Sequence, residues 1–442
     1  MKILHYSLGL PPYRSGGLTN VSLSLMEEQS KTNDVFLLWP GNHKYITKKI
    51  KIKKSVRYKN IQTFMLINSL PIPLMDGIKQ PEKFMKKCYG VEVFEKFIDD
   101  IKPDVIHVHT LMGLYYEMIL VLKKKNIKIV YTTHDYFGIC PNVTLYNRVK
   151  NNVCEKRNCC NICNINSIPL FLIYFKQSSI FRFIKPLLKM NKFNKKSNNS
   201  KKNNKKEIDN GPYIDLIKYY EKIFKQIDFF HFNSNIAKEI YEKYLGDLNG
   251  KVINLSIPNS ISSKSRISTQ KKEMNLGYIG SNIEEKGIYM LIKILDYINK
   301  KNIKYYLHIF NDKIVISRNY IIKHKKYNYS NIENNFENLD AIIIPSLWKE
   351  TFGMGVVEAF NCSVPVILSE NVGAKDIVNN NNSWIYNTNN DLRELLLKLQ
   401  KKDFICKKNF LIENYKNSNY NYFVNEIISC YKRRIGISNE KH

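Results

Sequence analysis

Apolar residues in this chain fall into two alternating patterns, short continuous runs and longer stretches with helical spacing. Runs at 2–7, 34–39, 61–67, 103–109, 127–135 and 228–234 predict strands in the first half. Helical spacing predicts helices at 18–30 and 213–226. In the second half, runs at 274–280, 304–310, 339–344, 364–368 and 383–386 predict strands. Helices are expected there at 288–299, 392–399 and 422–434. Continuous apolar strands that alternate with amphipathic helices indicate parallel sheets covered on both faces. The fold class is α/β, with two Rossmann-like, doubly wound domains. The stretch 262–272 is polar, lacks an apolar period and reads as a linker. It separates a first domain at 1–261 from a second at 273–420, followed by a final amphipathic segment at 421–442.

The most informative stretch is 345–360. The run Ala341-Ile-Ile-Ile344 ends at Pro345, a polar turn follows, and helical spacing begins at Gly353. Open α/β sheets bind ligands where a parallel strand feeds a helix N-terminus, and phosphate suits that position. Glu350 and Glu358 bracket the turn. One reading has Glu350 capping the helix while Glu358 is solvated. The other has the two carboxylates meeting opposite ends of a phosphate-containing ligand. Two further βα units carry matching chemistry. The first strand runs into Gly16-Gly17, which permits close approach of a diphosphate or is simply a flexible turn. The strand at 274–280 leads to Lys286-Gly287, which places a cation at a loop of the same kind.

Glu350-(seven residues)-Glu358, with Phe352-Gly353, Pro365-Val-Ile367 and Gly373, resembles the donor site of GT-B glycosyltransferases of family GT4. The resemblance extends over nearly the whole chain, and its C-terminal motif is the specific part. It implies a GT-B fold with two Rossmann-like domains facing across a cleft, the segment 421–442 returning to the first domain. It also implies a retaining transferase that uses a nucleotide sugar. Glu350 and His134 are then the catalytic candidates, Glu350 and His134 both meeting hydroxyls of the transferred sugar. Gly16, Gly17, Lys286, Thr351, Phe352, Gly353, Met354 and Glu358 are the donor-binding candidates. Glu358 is assigned to the ribose, and Lys286 with the 351–354 backbone to the diphosphate. His134 ends a strand in His134-Asp-Tyr136, whereas His107 and His109 read as packing and local hydrogen bonding. The family pattern has an arginine at the position of Ser281, so the phosphate clamp has one cation fewer here.

Composition changes this picture in three places. Cys140, Cys154, Cys159, Cys160 and Cys163 lie within 24 residues. Cys140, Cys154, Cys159 and Cys163, with Cys160 as an alternative ligand, suit a structural zinc. Reduced, unmetallated thiols or a redox-labile loop are the other readings. No cofactor is expected for catalysis. Second, the formal charge is +30, with basic, acid-free stretches at 44–59 and 176–206. The first reads as a solvated hairpin or as a patch for anionic lipid. The second joins an aromatic-basic half, suited to a membrane interface, to a Lys/Asn-rich half that reads as a disordered loop. Third, no run approaches the ~20 apolar residues of a membrane span, and no secretory signal is visible. The expected location is the cytoplasm, peripheral to the inner face of the membrane.

The expected partners are a nucleotide-sugar donor, a glycan or lipid-linked acceptor and an anionic membrane surface, with no nucleic acid. The destination would be capsule, O-antigen or another surface polysaccharide. A nucleotide-sugar epimerase on the same fold is one alternative. A basic metal-knuckle protein that binds nucleic acid is another, but it accounts for neither the βα units nor the glutamate pair.

Overall fold

The computed structural model describes residues 1–44, 47–147, 150–157, 160–178, 180–181, 210–258, 273–301, 303–311, 314, 316–325, 332–415 and 418–432. The proposed linker, Cys159 and most of the basic insertion at 176–206 lie outside the described residues. By contacts the chain divides into two units. One comprises Met1–His231, Tyr241–Lys251 and Ile427–His442; the other comprises Phe232–Ile240 and Val252–Glu426.

The first unit is built on strands β1 (Lys2–Tyr6), β2 (Asp34–Pro40), β3 (Lys51–Lys54), β4 (Gln62–Ile67), β5 (Val105–Val108), β6 (Lys128–Thr132), β9 (Phe229–Phe232) and β10 (Gly250–Val252). A separate short hairpin consists of β7 (Tyr146–Asn147) and β8 (Asn152–Val153). The helices are α1 (Gly17–Gln29), α2 (Val91–Ile101), α3 (Tyr116–Lys124), the single turn α4 (Cys160–Cys163), α5 (Leu170–Gln177), α6 (Gly211–Phe224) and α7 (Asn235–Leu245). The sheet order is β10-β9-β6-β5-β1-β2-β4-β3. Pairing is parallel from β9 through β4. Order reverses on either side of β1, so the topological switch point lies between β1 and β5.

The basic segment at 44–59 contributes β3, which pairs antiparallel with β4 at the sheet edge. Charged lysines on an edge strand keep it from pairing with other chains, which gives this segment a structural reason for its charge. Helix α2 went unassigned in the sequence reading. Its buried residues Phe94, Phe97, Ile98 and Ile101 follow helical spacing.

The second unit has strands β11 (Met274–Tyr278), β12 (Tyr305–Ile309), β13 (Ile321–Lys323), β14 (Ala341–Ile344), β15 (Val366–Ser369) and β16 (Trp384–Tyr386). Its helices are α8 (Ile288–Asn299), α9 (Ile332–Phe336), α10 (Gly355–Asn361), α11 (Asn389–Lys398) and α12 (Lys401–Asn414), while α13 (Ser418–Lys432) starts in this unit and belongs to the first from Ile427 on. The sheet order is β13-β12-β11-β14-β15-β16, with every pairing parallel. The switch point here lies between β11 and β14. β14 is buried throughout, so its all-apolar sequence matches a strand covered on both faces. Ile288, Leu291, Leu295 and Ile298 of α8 pack on the same core as Leu276, Leu307 and Ile343.

Both units are therefore parallel, doubly wound α/β sheets, the architecture that the apolar patterning indicated. Observed elements start or stop one to three residues from the expected bounds at several places. At β11, for example, the strand ends at Tyr278 and leaves Gly280 in the following loop. Among the described residues, no helix is long and apolar enough to cross a membrane.

Candidate active site

In the second unit, the loops that follow β11 and β14 meet beside the switch point. After β11 the chain makes a one-turn 3-10 helix, Glu284–Lys286, and reaches α8 through Gly287. Gly287 has φ +74°, and a Cβ there would lie 1.8 Å from the Pro345 carbonyl oxygen. Only glycine permits so close an approach of the two loops. The Leu347 N–H donates to the Glu285 carbonyl at 2.8 Å, which locks the loops together.

This packing sets Lys286 against Glu350. The Lys286 ammonium donates directly to Glu350 Oε1. The side chains are 22% and 13% exposed, so the pair is largely desolvated and stronger than a surface ion pair. Glu350 Oε2 accepts from Ser346 Oγ at 2.6 Å. The ammonium also lies 5.4 Å from the Trp348 ring centroid, a cation–π arrangement. The Glu350 backbone is fixed on both sides: its N–H donates to Asn371 O at 2.8 Å, and its carbonyl accepts from Gly373 N–H at 3.0 Å.

The turn 351–354 then leads into α10. Thr351 and Phe352 are buried. Gly353 adopts φ +100°, and a Cβ there would lie 2.6 Å from a Val372 methyl. Glu358 is 7% exposed within α10, and its N–H donates to Met354 O at 3.0 Å. A carboxylate this buried is not the solvated helix residue of the bland reading. Ser281 is exposed, and its carbonyl accepts from Tyr278 Oη at 3.0 Å.

In the first unit, the ends of β1, β5 and β6 lie side by side. Gly16 has φ +138° and is the residue before α1; both Gly16 and Gly17 are exposed. His5, His107, His109 and His231 are buried, and His134 is partly buried just beyond β6. His5 Nδ1 is 3.0 Å from His109 Nε2, and His109 Nδ1 is 3.1 Å from His134 Nε2. Burial holds His134 down to about 3, with the nearby His231 adding to the effect. His5 is likewise held down to about 3 by burial. Burial pushes the neighbouring Asp135 carboxyl up to about 6. His5, His107, His109 and His134 are neutral at physiological pH and hydrogen-bond without carrying charge.

Residues 261–417 match the family Glycosyl transferases group 1, and residues 44–165 match Glycosyl transferase 4-like. A Klebsiella pneumoniae relative, described as an uncharacterized 42.6 kDa protein in cps region, is 26% identical over 284 residues. That match spans 63% of this chain and 60% of the relative's length. Among solved structures, sucrose-phosphate synthase from Thermosynechococcus elongatus superposes with a TM-score of 0.57 at 13% identity, covering 98% of each chain. Anabaena HepE, solved in complex with UDP and glucose, superposes with a TM-score of 0.56 at 12% identity. It covers 97% of this chain and 99% of that one. Two glycosyltransferase family models thus match this chain, one in each half, and its fold is that of the GT-B glycosyltransferases.

Against the family pattern, the structure brings Lys286 and Glu350 together as direct partners, a pairing the sequence reading did not draw. It places Thr351, Phe352, Gly353 and Met354 on the turn leading to the buried Glu358. Gly16, Gly17 and His134 lie in the first unit, at the β1 and β6 strand ends. The cysteines are spread out. Among the described residues, no three of Cys140, Cys154, Cys160 and Cys163 bring their sulfurs within 4.8 Å of one another; the only such group of potential ligands is His5, His107 and His109. Cys140 and Cys154 are close enough for one to raise the other, although burial is the main reason the Cys140 thiol is pushed up to about 11. His107 and His109 do more than pack locally, because they join a hydrogen-bonded network spanning β1, β5, β6 and β9. The signal for it was in the sequence: His5, His107, His109, His134 and His231 all lie on or just beyond apolar strand runs.

Proposed function

We propose that this chain is a retaining glycosyltransferase that moves a sugar from a nucleotide-sugar donor to a glycan or lipid-linked acceptor. The observation that carries the reading is the desolvated Lys286–Glu350 pair at the β11/β14 switch point, two turns of chain from the buried Glu358. Lys286 supplies positive charge for the diphosphate, where negative charge accumulates as the sugar–oxygen bond breaks. Glu350 holds hydroxyls of the transferred sugar, and Glu358 holds the ribose. Thr351, Phe352, Gly353 and Met354 form the turn against the diphosphate, and Gly16 and Gly17 leave room for close approach. His134 accepts a hydrogen bond from a sugar hydroxyl. No protein nucleophile is assigned, so retention calls for same-face attack in which the departing phosphate takes the acceptor proton.

The cps-region relative favours surface-polysaccharide synthesis. Phe171 and Phe175 of α5 are exposed, 63% and 38%, and Lys79 lines an apolar pocket beside Phe171. Aromatic side chains next to lysine suit the interface of an anionic membrane, which would bring the enzyme to a lipid-linked acceptor. Catalysis uses no metal in this reading, and a zinc held by Cys140, Cys154, Cys159 and Cys163, or Cys160, would be structural.

The test uses two variants and a panel of UDP-, GDP-, ADP- and TDP-sugars. As the direct partner of Lys286, Glu350 competes with the diphosphate for that ammonium. Glu350→Gln should therefore abolish transfer while nucleoside diphosphate binding persists or tightens. Lys286→Met should weaken that binding by about 10- to 100-fold, the loss of one charge-assisted hydrogen bond. Transfer by Glu350→Gln at the wild-type rate would remove that residue from the reaction. Conversion of the donor sugar without any acceptor would indicate an epimerase instead.

A further inference from the structure

We infer that Gln29 fixes the tautomer of His134 through His5 and His109, placing the proton on Nε2 and the lone pair on Nδ1. The inference deepens the role proposed for His134, but its test does not depend on transfer activity. It follows from the polarity of one amide. Gln29 Nε2 is 3.1 Å from Tyr431 Oη, and Gln29 Oε1 is 2.9 Å from His5 Nε2. A carbonyl oxygen only accepts, so His5 Nε2 carries the proton. A neutral imidazole has a single N–H, which leaves His5 Nδ1 as an acceptor. Its partner, His109 Nε2, must then donate. By the same reasoning His109 Nδ1 accepts, and its partner, His134 Nε2, must donate.

The other half of the same amide orders a second branch with no conflict. Tyr431 Oη accepts from Gln29 and so donates to His107 Nδ1 at 2.6 Å. His107 Nε2 donates to Thr132 Oγ1 at 2.6 Å, and Thr132 in turn donates to His231 Nδ1 at 2.8 Å. Seven groups therefore take one consistent direction from Gln29. Burial, which keeps His5, His107 and His109 neutral, keeps the single-proton rule in force along both branches.

The cluster is not arranged as a metal site. His5, His107 and His109 bring ligand atoms within 4.8 Å of one another. Yet the rings of His107 and His109 lie tilted by 30° with centroids 4.1 Å apart, and both nitrogens of His107 are engaged by Tyr431 and Thr132. His107 therefore has no nitrogen lone pair left to offer an ion alongside His5 and His109. Gln29, His5 and His109 are positioning residues that make His134 Nδ1 an acceptor, suited to accepting a hydrogen bond from a hydroxyl and unsuited to donating one.

Long-range proton–nitrogen NMR on protein labelled with 15N-histidine reads each tautomer directly, with His134 assigned by loss of its signals in His134→Gln. The wild type should show His5, His109 and His134 as Nε2–H tautomers. Gln29→Met keeps the side-chain length but removes the amide, and should shift His134 to an averaged mixture. Gln29→Glu keeps an acceptor for His5 and should restore the Nε2–H pattern. A wild-type His134 with its proton on Nδ1 would overturn the inference whether or not the variants fold. Unchanged His134 signals in a folded Gln29→Met would overturn it as well.

Discussion

The buried histidines make the first unit acid-labile by an amount that can be worked out. His5, His107 and His109 are at most 1% exposed, and burial holds all three far below the ordinary histidine value, His5 at about 3. In the unfolded chain each titrates near 6.5. Between these values the unfolded chain binds more protons than the folded one, so stability rises with pH and is lost as pH falls below 6.5. At pH 5.5 each neutral imidazole costs about 1.4 kcal/mol, and the three together about 4 kcal/mol. Asp135 acts in the opposite sense. Burial raises it from 3.8 to about 6, so the folded unit binds its proton more readily. That returns about 0.8 kcal/mol at pH 5.5, so these four groups leave a loss of about 3 kcal/mol, and His134, also held down to about 3, adds about 1.4 kcal/mol. Domains of this size are stable by only about 5–15 kcal/mol, so the loss is a large share. Trp39 is the one tryptophan of the first unit, and a Trp348→Phe/Trp384→Phe background isolates its fluorescence. Urea unfolding followed by Trp39 should give a midpoint much lower at pH 5.5 than at pH 7.5, with an unchanged slope. A difference below about 1 kcal/mol would refute the idea that these imidazoles are neutral when folded.

Other outcomes follow from individual contacts. Gly287→Ala must hold a left-handed backbone and push aside the Pro345 carbonyl, so it should destabilise the second unit by about 2 kcal/mol or more; a wild-type melting curve would show that the two loops can part. Glu358→Ala should weaken nucleoside diphosphate binding about tenfold, and a 2′,3′-dideoxy analogue should lose nothing further in the variant; an additional loss there would place the ribose elsewhere. Phe171→Ser/Phe175→Ser should reduce sedimentation with anionic vesicles, and equal sedimentation would count against α5 as the membrane face. Elemental analysis should find about one zinc per chain if the cysteines form a structural site; folded, active protein with none would leave them as thiols.

Period and apolar content sufficed to read both parallel sheets, because strands such as Ala341–Ile344 are buried on both faces and show no alternation. The turn from Glu350 to Glu358 was legible for a related reason: a strand end, glycines and two acids are local in sequence. What a local reading misses is partnership. Lys286 and Glu350 are 64 positions apart and meet only because Gly287 lets two loops touch. Read from the sequence alone, His134 has a sugar contact and His107 and His109 have packing and local hydrogen bonding, but the network is not visible, since His5, His109 and His134 become neighbours only when β1, β5 and β6 take their places in the sheet. Helix α2 carries clear helical spacing at Phe94, Phe97, Ile98 and Ile101, so its signal is present in the sequence as well.

The Tyr431 hydroxyl has a consequence for how the polypeptide is made. It bonds Gln29 and His107 deep in the first unit, alongside the Lys128 ammonium bound to the Cys430 carbonyl. Roughly 200 residues separate His231, at the end of this sheet, from Tyr431. At about 5–20 residues per second, a ribosome takes about 10–40 s to bridge that gap. Throughout that interval the nascent sheet holds two buried polar groups and a lysine whose partners have not yet been synthesised. Completing these contacts therefore requires α13, which is synthesised after every strand of the second unit.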